Sequence, residues 1–193
     1  MKKRMILVTS PPASGKTFVS KQLAKKLPHI VYLDKDALVP LSNRVFLVAG
    51  EEINRSSPFF EEHIRNYEYD VILDIGFEAI EYNDLVLINA PFTREVRNNE
   101  YIAELKRKLA SHGAELVVIW VVTDIEVSRQ RMIARNSPRD TWKLANWDEY
   151  VAGRDYSTPN MPAISDCLVK FYNSNQEEFN ESMERIYKYL TEE

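Results

Sequence analysis

Short apolar runs alternate along this chain with stretches whose apolar positions recur every third or fourth residue. The first run, residues 5–10 (MILVTS), reads as a strand. Residues 16–27 place Val19, Leu23 and Leu27 in an i, i+4 row, a helix that Pro28 stops. A second strand, 30–33 (IVYL), comes next, whereas 38–56 show no readable period. Ser57-Pro58 then has the form of a helix N-cap with proline at the first helical position. From there Phe60, Ile64, Tyr67 and Val71 step into one long helix reaching about residue 82, with Gly76 as a weak or bent point. A third strand, 84–89 (DLVLIN), precedes a helix at 98–111, with Ile102, Leu105 and Leu109 inward. The run 116–122 (LVVIWVV) is apolar throughout, as a strand covered on both faces would be. A helix over 125–135 leads into an arginine-rich stretch, and 167–172 is the last strand. The closing helix carries Phe179, Met183, Ile186, Tyr187 and Leu190 as one core-facing stripe.

Five strands alternating with helices predict an α/β fold with a parallel sheet and right-handed crossovers. A ligand then belongs at the carboxyl ends of the strands. The polar clusters Ser10–Thr17, Asp34–Asp36, Asn89–Arg97 and Asn173 all fall there. With 193 residues and no repeat or dividing linker, a single domain is expected.

Composition narrows the classes. Hydrophobic and charged fractions of 45% and 28% are those of an ordinary globular protein. A net charge of −4 argues against an extended nucleic-acid surface and leaves room for a local basic patch. The single Cys167, between apolar neighbours, permits no internal disulfide and reads as a small buried strand residue in a reducing compartment. No run approaches the roughly 18 apolar residues of a membrane span. The opening MKKRMILV reads as a strand rather than a signal peptide, so a cytoplasmic chain without membrane contact is expected. Oligomeric state stays open.

The most specific motif is SPPASGKT, residues 10–17, a small-residue loop between a strand and a helix. It matches G-x-x-x-x-G-K-[ST] except that Ser10 stands at the first glycine, so Ser10 must hold an ordinary backbone conformation. Pro12, Ala13, Ser14, Gly15, Lys16, Thr17 and Phe18 would then line a polyphosphate. Lys16 supplies charge to the β/γ-phosphates and Thr17 a hydroxyl ligand for Mg²⁺. Asp34 and Asp36 leave the second strand near this loop. Either can take the proton of an acceptor hydroxyl or hold Mg²⁺ through water; the plainer alternative for Asp36 is a helix cap. Asn89, ending the third strand, is neutral and can orient only a metal-bound water.

Beyond it, Arg94 can clamp a substrate anion, although Arg94 and Arg97 also fit a solvated helix entry. In 128–143, SRQRMIARNSPRDTWK, the cations Arg129, Arg131, Arg135, Arg139 and Lys143 face the single acid Asp140. Arg131 and Arg135 share a helix face, and guanidinium forks suit phosphate oxygens. The segment reads as a mobile lid over about 128–150, against the alternative of a basic surface helix. Asn173-Ser174-Asn175 either touches the nucleobase or caps the last helix. Tyr67, Tyr69, Phe77 and Tyr82 fit core packing better than a pocket wall. His29, His63 and His112 adjoin no cysteine cluster and receive no role.

Together, SPPASGKT, LDKDAL, LINAPFTRE and RQRMIARNSPRD resemble the P-loop kinases of the adenylate kinase-like group. Within it they are similar to the AAA_33-type ATP-binding proteins, polynucleotide kinases, zeta toxins and chloramphenicol phosphotransferase. The resemblance implies a three-layer P-loop fold with strand order 2-3-1-4-5, ATP and Mg²⁺ as cofactors, Asp36 as general base, and Arg131 and Arg135 as lid arginines on the ATP phosphates. Ser10 and Asn89 depart from the family pattern. The implied activity is transfer of the γ-phosphate of ATP to a hydroxyl of a small-molecule acceptor. Catalysis would use Lys16, Asp36, Arg131 and Arg135. Asp34, Asp36 and Arg94 would contact the acceptor, Thr17 and Asp34 the metal, and Asn173 the nucleotide. The region 38–83 would cap the acceptor. A nucleotide-binding switch without transfer activity and a nucleic-acid 5′-hydroxyl kinase are the rivals.

Overall fold

A strand buried on both faces sends alternate side chains into two separate cores. The computed structural model, which describes residues 2–137 and 140–192, is built this way. In chain order the elements are β1 (Lys3–Thr9), α1 (Lys16–Lys26), β2 (Ile30–Asp34), α2 (Val39–Ala49), α3 (Pro58–His63), α4 (Arg65–Tyr82) and β3 (Leu85–Asn89). They continue with α5 (Asn99–Ser111), β4 (Ala114–Val122), α6 (Ile125–Arg135), α7 (Thr141–Ala145), α8 (Trp147–Ala152), β5 (Leu168–Tyr172) and α9 (Gln176–Thr191).

The five strands form one parallel sheet in the order β2-β3-β1-β4-β5. Met5, Leu7, Val86, Ile88, Val118 and Trp120 face α4 and α5. The intervening Ile6, Val8, Leu85, Leu87, Val117 and Ile119 face α1 and α9. The result is the three-layer P-loop fold expected from the sequence. Met183, Ile186 and Leu190 of α9 are buried, with Phe179 and Tyr187 packed beside them. Among the described residues, no helix is long and apolar enough to cross a membrane.

The structure extends the sequence reading in one region and corrects it in others. Residues 38–56 contain a regular helix, α2, with Pro40 in its first turn and Gly50 ending it at φ +73°. Only Ser42 and Phe46 of that helix are buried, while Leu41, Leu47 and Val48 face solvent, so its apolar residues trace no single stripe. The long helix predicted over 57–82 is two helices broken at Ile64 (φ −127°, ψ −48°). The Ser57 cap is present, its hydroxyl accepting from the Phe60 N–H at 3.1 Å.

The break changes the helical phase from Arg65 onward. Tyr67 and Val71, expected inward, are 65% and 44% exposed, and the buried face of α4 is Tyr69, Ile72, Leu73, Phe77 and Ile80. Tyr82 is also exposed. Gly76 does not interrupt α4. A Cβ there would lie 2.9 Å from Ile88 Cδ1 and 3.1 Å from Met5 Cε, so glycine lets the helix lie close against β1 and β3. Cys167 is buried one residue before β5 rather than within it, and burial pushes its thiol up to about 11.

Candidate active site

The loop between β1 and α1 turns through two left-handed residues, Ala13 at φ +65° and Gly15 at φ +85°, while Ser10 keeps an ordinary backbone. The missing first glycine is thus compatible with the loop, because the positive-φ duty falls on Ala13. Ser14 Oγ donates to the Pro11 carbonyl and lies in hydrogen-bond contact with Ser10 Oγ, tying the loop across itself. From outside, three donors converge on the Ser14 carbonyl: Thr123 Oγ1 at 2.9 Å, Asn173 Nδ2 at 2.7 Å and Arg131 Nη1 at 3.2 Å. A Cβ at Gly15 would stand 2.5 Å from Asn173 Nδ2. The loop opens directly into the N-terminus of α1, whose first N–H groups have no intrahelical partner and suit an anion.

Strand pairing sets Asn89 beside Asp34 on one flank and Val8 on the other. Its amide then joins four side chains. Oδ1 accepts from Lys16 Nζ at 2.7 Å and Ser20 Oγ at 3.3 Å. Nδ2 donates to Asp34 Oδ2 at 3.0 Å and Thr17 Oγ1 at 3.3 Å. Asp34 also accepts from the Tyr32 hydroxyl at 2.9 Å and the Asp36 N–H at 3.1 Å, so Asp34, not Asp36, caps the turn after β2.

Burial lowers the Lys16 ammonium from its ordinary range to about 8, against the opposing pull of Asp36 and Asp34. Thr17 and Asp34, bridged by Asn89, offer oxygen donors and one negative charge. Among the described residues no cluster of three His, Cys, Asp or Glu side chains forms a cage. That donor set fits Mg²⁺, which keeps several waters and relies on substrate phosphates.

Two clefts meet above the strand ends. The first, about 430 Å³, lies over the loop and is lined by Lys16, Thr17, Phe18, Arg135 and Lys143 among others. The second, about 530 Å³, lies toward α3 and α4 and includes Lys35, Arg55, Arg65 and Arg94. Asp36, Pro91, Thr93 and Arg154 belong to both and form the shared wall. Asp36 is exposed there, and its carboxylate makes no hydrogen bond among the described residues.

The predicted lid is α6, α7 and α8, with a small core of Met132, Trp147 and Tyr150 that also touches Ala13 of the loop. Its two named arginines part company. Arg135 reaches the loop cleft but is held by the buried Asp140, which Lys143 also contacts at 2.9 Å. Arg131 lies on the other shoulder, bonded to the Ser14 and Asn173 carbonyls, where Phe18, Asn173, Gln176 and Phe179 enclose a further cleft of about 350 Å³. Asn173 contacts the loop, whereas Asn175 caps α9. Arg139 lies outside the described residues.

Arg94 lines the second cleft while paired through both Nη atoms with Glu61, at 2.7 and 3.2 Å. Arg97 anchors the segment after α8, donating to the Ser157 carbonyl at 2.6 Å and pairing with Asp155 at 3.0 Å.

Sequence reasoning did not single out Lys35, Arg55, Glu68, Thr93 or Arg154. Glu68, buried in α4, accepts from Lys35 Nζ (2.5 Å), Ser42 Oγ (2.5 Å) and both Nη atoms of Arg55 (2.7 and 2.6 Å). A carboxylate on the inward face of a helix was a visible signal once the phase of α4 is known; Arg154, after Gly153, carried none. Tyr69, assigned to packing, lines the second cleft and donates to the Pro91 carbonyl at 3.0 Å.

Residues 5–155 match the AAA_33 family, described as an AAA domain. The chain belongs to the AAA_33 family. No curated protein matches this AAA_33 chain in sequence. Among solved structures it is similar to a gluconokinase from Sinorhizobium meliloti 1021 (15% identity, 98% of this chain and 95% of that one, TM-score 0.52). A shikimate kinase from Bacteroides thetaiotaomicron is similar too (14%, 97% and 98%, TM-score 0.53). So is the Mycobacterium tuberculosis APS kinase CysC, solved with AMPPNP and APS (19%, 96% and 95%, TM-score 0.51). At these identities the likeness is one of fold.

Proposed function

We propose that this AAA_33 protein is an ATP- and Mg²⁺-dependent kinase that phosphorylates a hydroxyl group of a small molecule. The observation that carries the proposal is the shared wall: Asp36 stands between a cleft over the phosphate loop and a second polar cleft of small-molecule size. That the solved structures of similar fold carry kinase names supports the reading.

In this reading the loop amides and Lys16 hold the β- and γ-phosphates of ATP, and the cleft beside Phe18 and Arg131 receives the base. Thr17 and Asp34 would hold Mg²⁺, which supplies charge neutralisation at the phosphates. The acceptor hydroxyl lies in the second cleft against Asp36. Its oxygen bonds to the γ-phosphorus as the bond from phosphorus to the β–γ bridging oxygen breaks, and ADP leaves. Asp36 takes the hydroxyl proton, for which an exposed carboxylate without a competing partner among the described residues is suited. Arg135, released from Asp140 as the lid closes, stabilises charge on the moving phosphoryl group. Arg94 and Asp34 complete the acceptor side, and the setting is the cytoplasm.

The test is acceptor-stimulated ADP release over a panel of hydroxyl compounds. Asp36→Asn should leave ATP binding nearly unchanged and lower transfer at least about 10²-fold. Full transfer by this variant would remove Asp36 as the base. ATP binding with no stimulation by any acceptor would instead favour a nucleotide-driven switch.

A further inference from the structure

The second cleft contains more positive charge than its ion pairs consume. Arg94 is matched by Glu61, and Arg65 by Glu95 at 2.6 Å, with its guanidinium over the Tyr69 ring at 4.5 Å. Lys35 and Arg55, however, share the single carboxylate of Glu68. Hydrogen bonds from Arg55, Lys35 and Ser42 outweigh the burial that would raise Glu68 and hold it down at about 2, so it is fully ionised and still neutralises only one of the two. Arg154 lies over the Tyr150 ring at 4.6 Å and faces no carboxylate among the described residues. Asp36 in the shared wall offsets one of these two surplus charges, so the cleft keeps one net positive charge, carried by Arg55 and Arg154.

Their chemistry suits an oxyanion. Glu68 occupies two N–H groups of Arg55 and fixes the plane of its guanidinium, yet the side chain remains 31% exposed, and its other donors make no hydrogen bond among the described residues. Arg154 is exposed on the opposing segment, which Arg97 ties down through Asp155 and Ser157. A net positive charge carried by guanidinium groups on a concave surface focuses an attractive field for anions.

We infer that the acceptor carries an anionic group, a carboxylate or a phosphate, in addition to the hydroxyl that is phosphorylated, and that Arg55 and Arg154 hold it. The inference rests on the kinase reading for the word acceptor, and on the cleft alone for the anion. Anchoring at the arginines sets the hydroxyl at Asp36, and neutral alcohols of the same size lack that anchor.

The experiment is NMR of the arginine side-chain N–H signals with a non-hydrolysable ATP analogue and Mg²⁺ filling the phosphate loop. Glycerol, glycerate and glycerol 3-phosphate are the probes, since they differ in the anionic group alone. Glycerate, glycerol 3-phosphate or both should shift Arg55 and Arg154 saturably, glycerol should not, and the tighter anion identifies the preferred group. Arg154→Gln, on an exposed segment, and Arg55→Gln should each weaken that binding by at least about 10-fold, the scale of a hydrogen bond to a charged group. The inference is overturned if neither anion shifts these signals, if glycerol shifts them equally, or if Arg154→Gln leaves the affinity intact. The kinase reading is judged separately by ADP release: saturable anion binding without turnover of any acceptor sinks that reading and leaves the anion site standing.

Discussion

Replacing Glu68 by glutamine removes one charge and little else, and the structure sets the size of the effect. In the native protein the carboxylate receives four hydrogen bonds, two of them from Arg55, one from Ser42 and one from Lys35, whose side chain is only 4% exposed. Glutamine leaves two cations facing an amide that accepts through a single oxygen. Breaking a buried pair from one side costs about 3–5 kcal/mol.

The depressed pKa gives an independent figure. From an ordinary 4.5 to about 2, at about 1.4 kcal/mol per unit, the ionised carboxylate is favoured by about 3 kcal/mol, or 2–3 after allowance for water reaching Arg55. The sign comes from the direction of the shift. The folded protein binds this proton more weakly than the unfolded chain, so the stabilisation is complete above pH 4.5 and is lost as pH falls toward 2.

Urea unfolding at pH 7 should therefore place Glu68→Gln about 2–3 kcal/mol below the native protein, a midpoint shift of about 1 M for a slope of 2–3 kcal/mol/M. At pH 3 the gap should shrink to less than about half, because most of the native advantage has already been titrated away. A gap below about 1 kcal/mol at pH 7, or one that is the same at pH 3, would refute the account of Glu68 as the charged centre of this network.

Gly76→Ala should destabilise despite alanine's better helix propensity, by about 1–2 kcal/mol net, since the new methyl meets Ile88 Cδ1 at 2.9 Å; a stabilised variant in thermal unfolding would show that β3 yields. Asn89→Asp would set a second carboxylate about 3 Å from Asp34, raising the pKa of one of them and weakening Mg²⁺-dependent nucleotide binding by about 10-fold at pH 6, less at pH 8; equal affinities in calorimetry at both would contradict this. Lys16 loses its proton near pH 8 in the free protein, and phosphate binding favours the charged form. Nucleotide affinity should accordingly fall above pH 8 with proton uptake on binding, and a flat profile from pH 7 to 9.5 would rule out Lys16 as the titrating contact.

The centre of the sheet was legible because β1, β3 and β4 are buried on both faces. A run such as LVVIWVV has few readings, and the same burial forces the odd and even residues of β1, β3 and β4 into two cores. Helices were legible where one face is buried and not elsewhere. α2 escaped because Leu41, Leu47 and Val48 are exposed beside a buried Ser42. The phase of α4 was lost because periodicity was carried through Ile64, where the backbone leaves helical geometry. Caps survived better than periods: Ser57 does what its position before Pro58 implies, since a cap depends on its immediate neighbours alone.

The site divides along the same line. The placement of Gly15, Lys16 and Thr17 in a tight loop opening into α1 was readable because that loop is contiguous in sequence, and a contiguous loop encodes its own geometry. Asn89 was readable only as a departure, a neutral residue where an acid is usual. Its meaning depends on Asp34, which the β2–β3 register brings alongside it. With Asp34 already present, an acid at 89 would place two carboxylates in contact. The amide instead accepts from Lys16 and donates to Asp34 and Thr17, so the negative charge beside Thr17 resides one strand away. The departure and the acidic pair after β2 are one arrangement, and neither implies a weakened site when the two are read together.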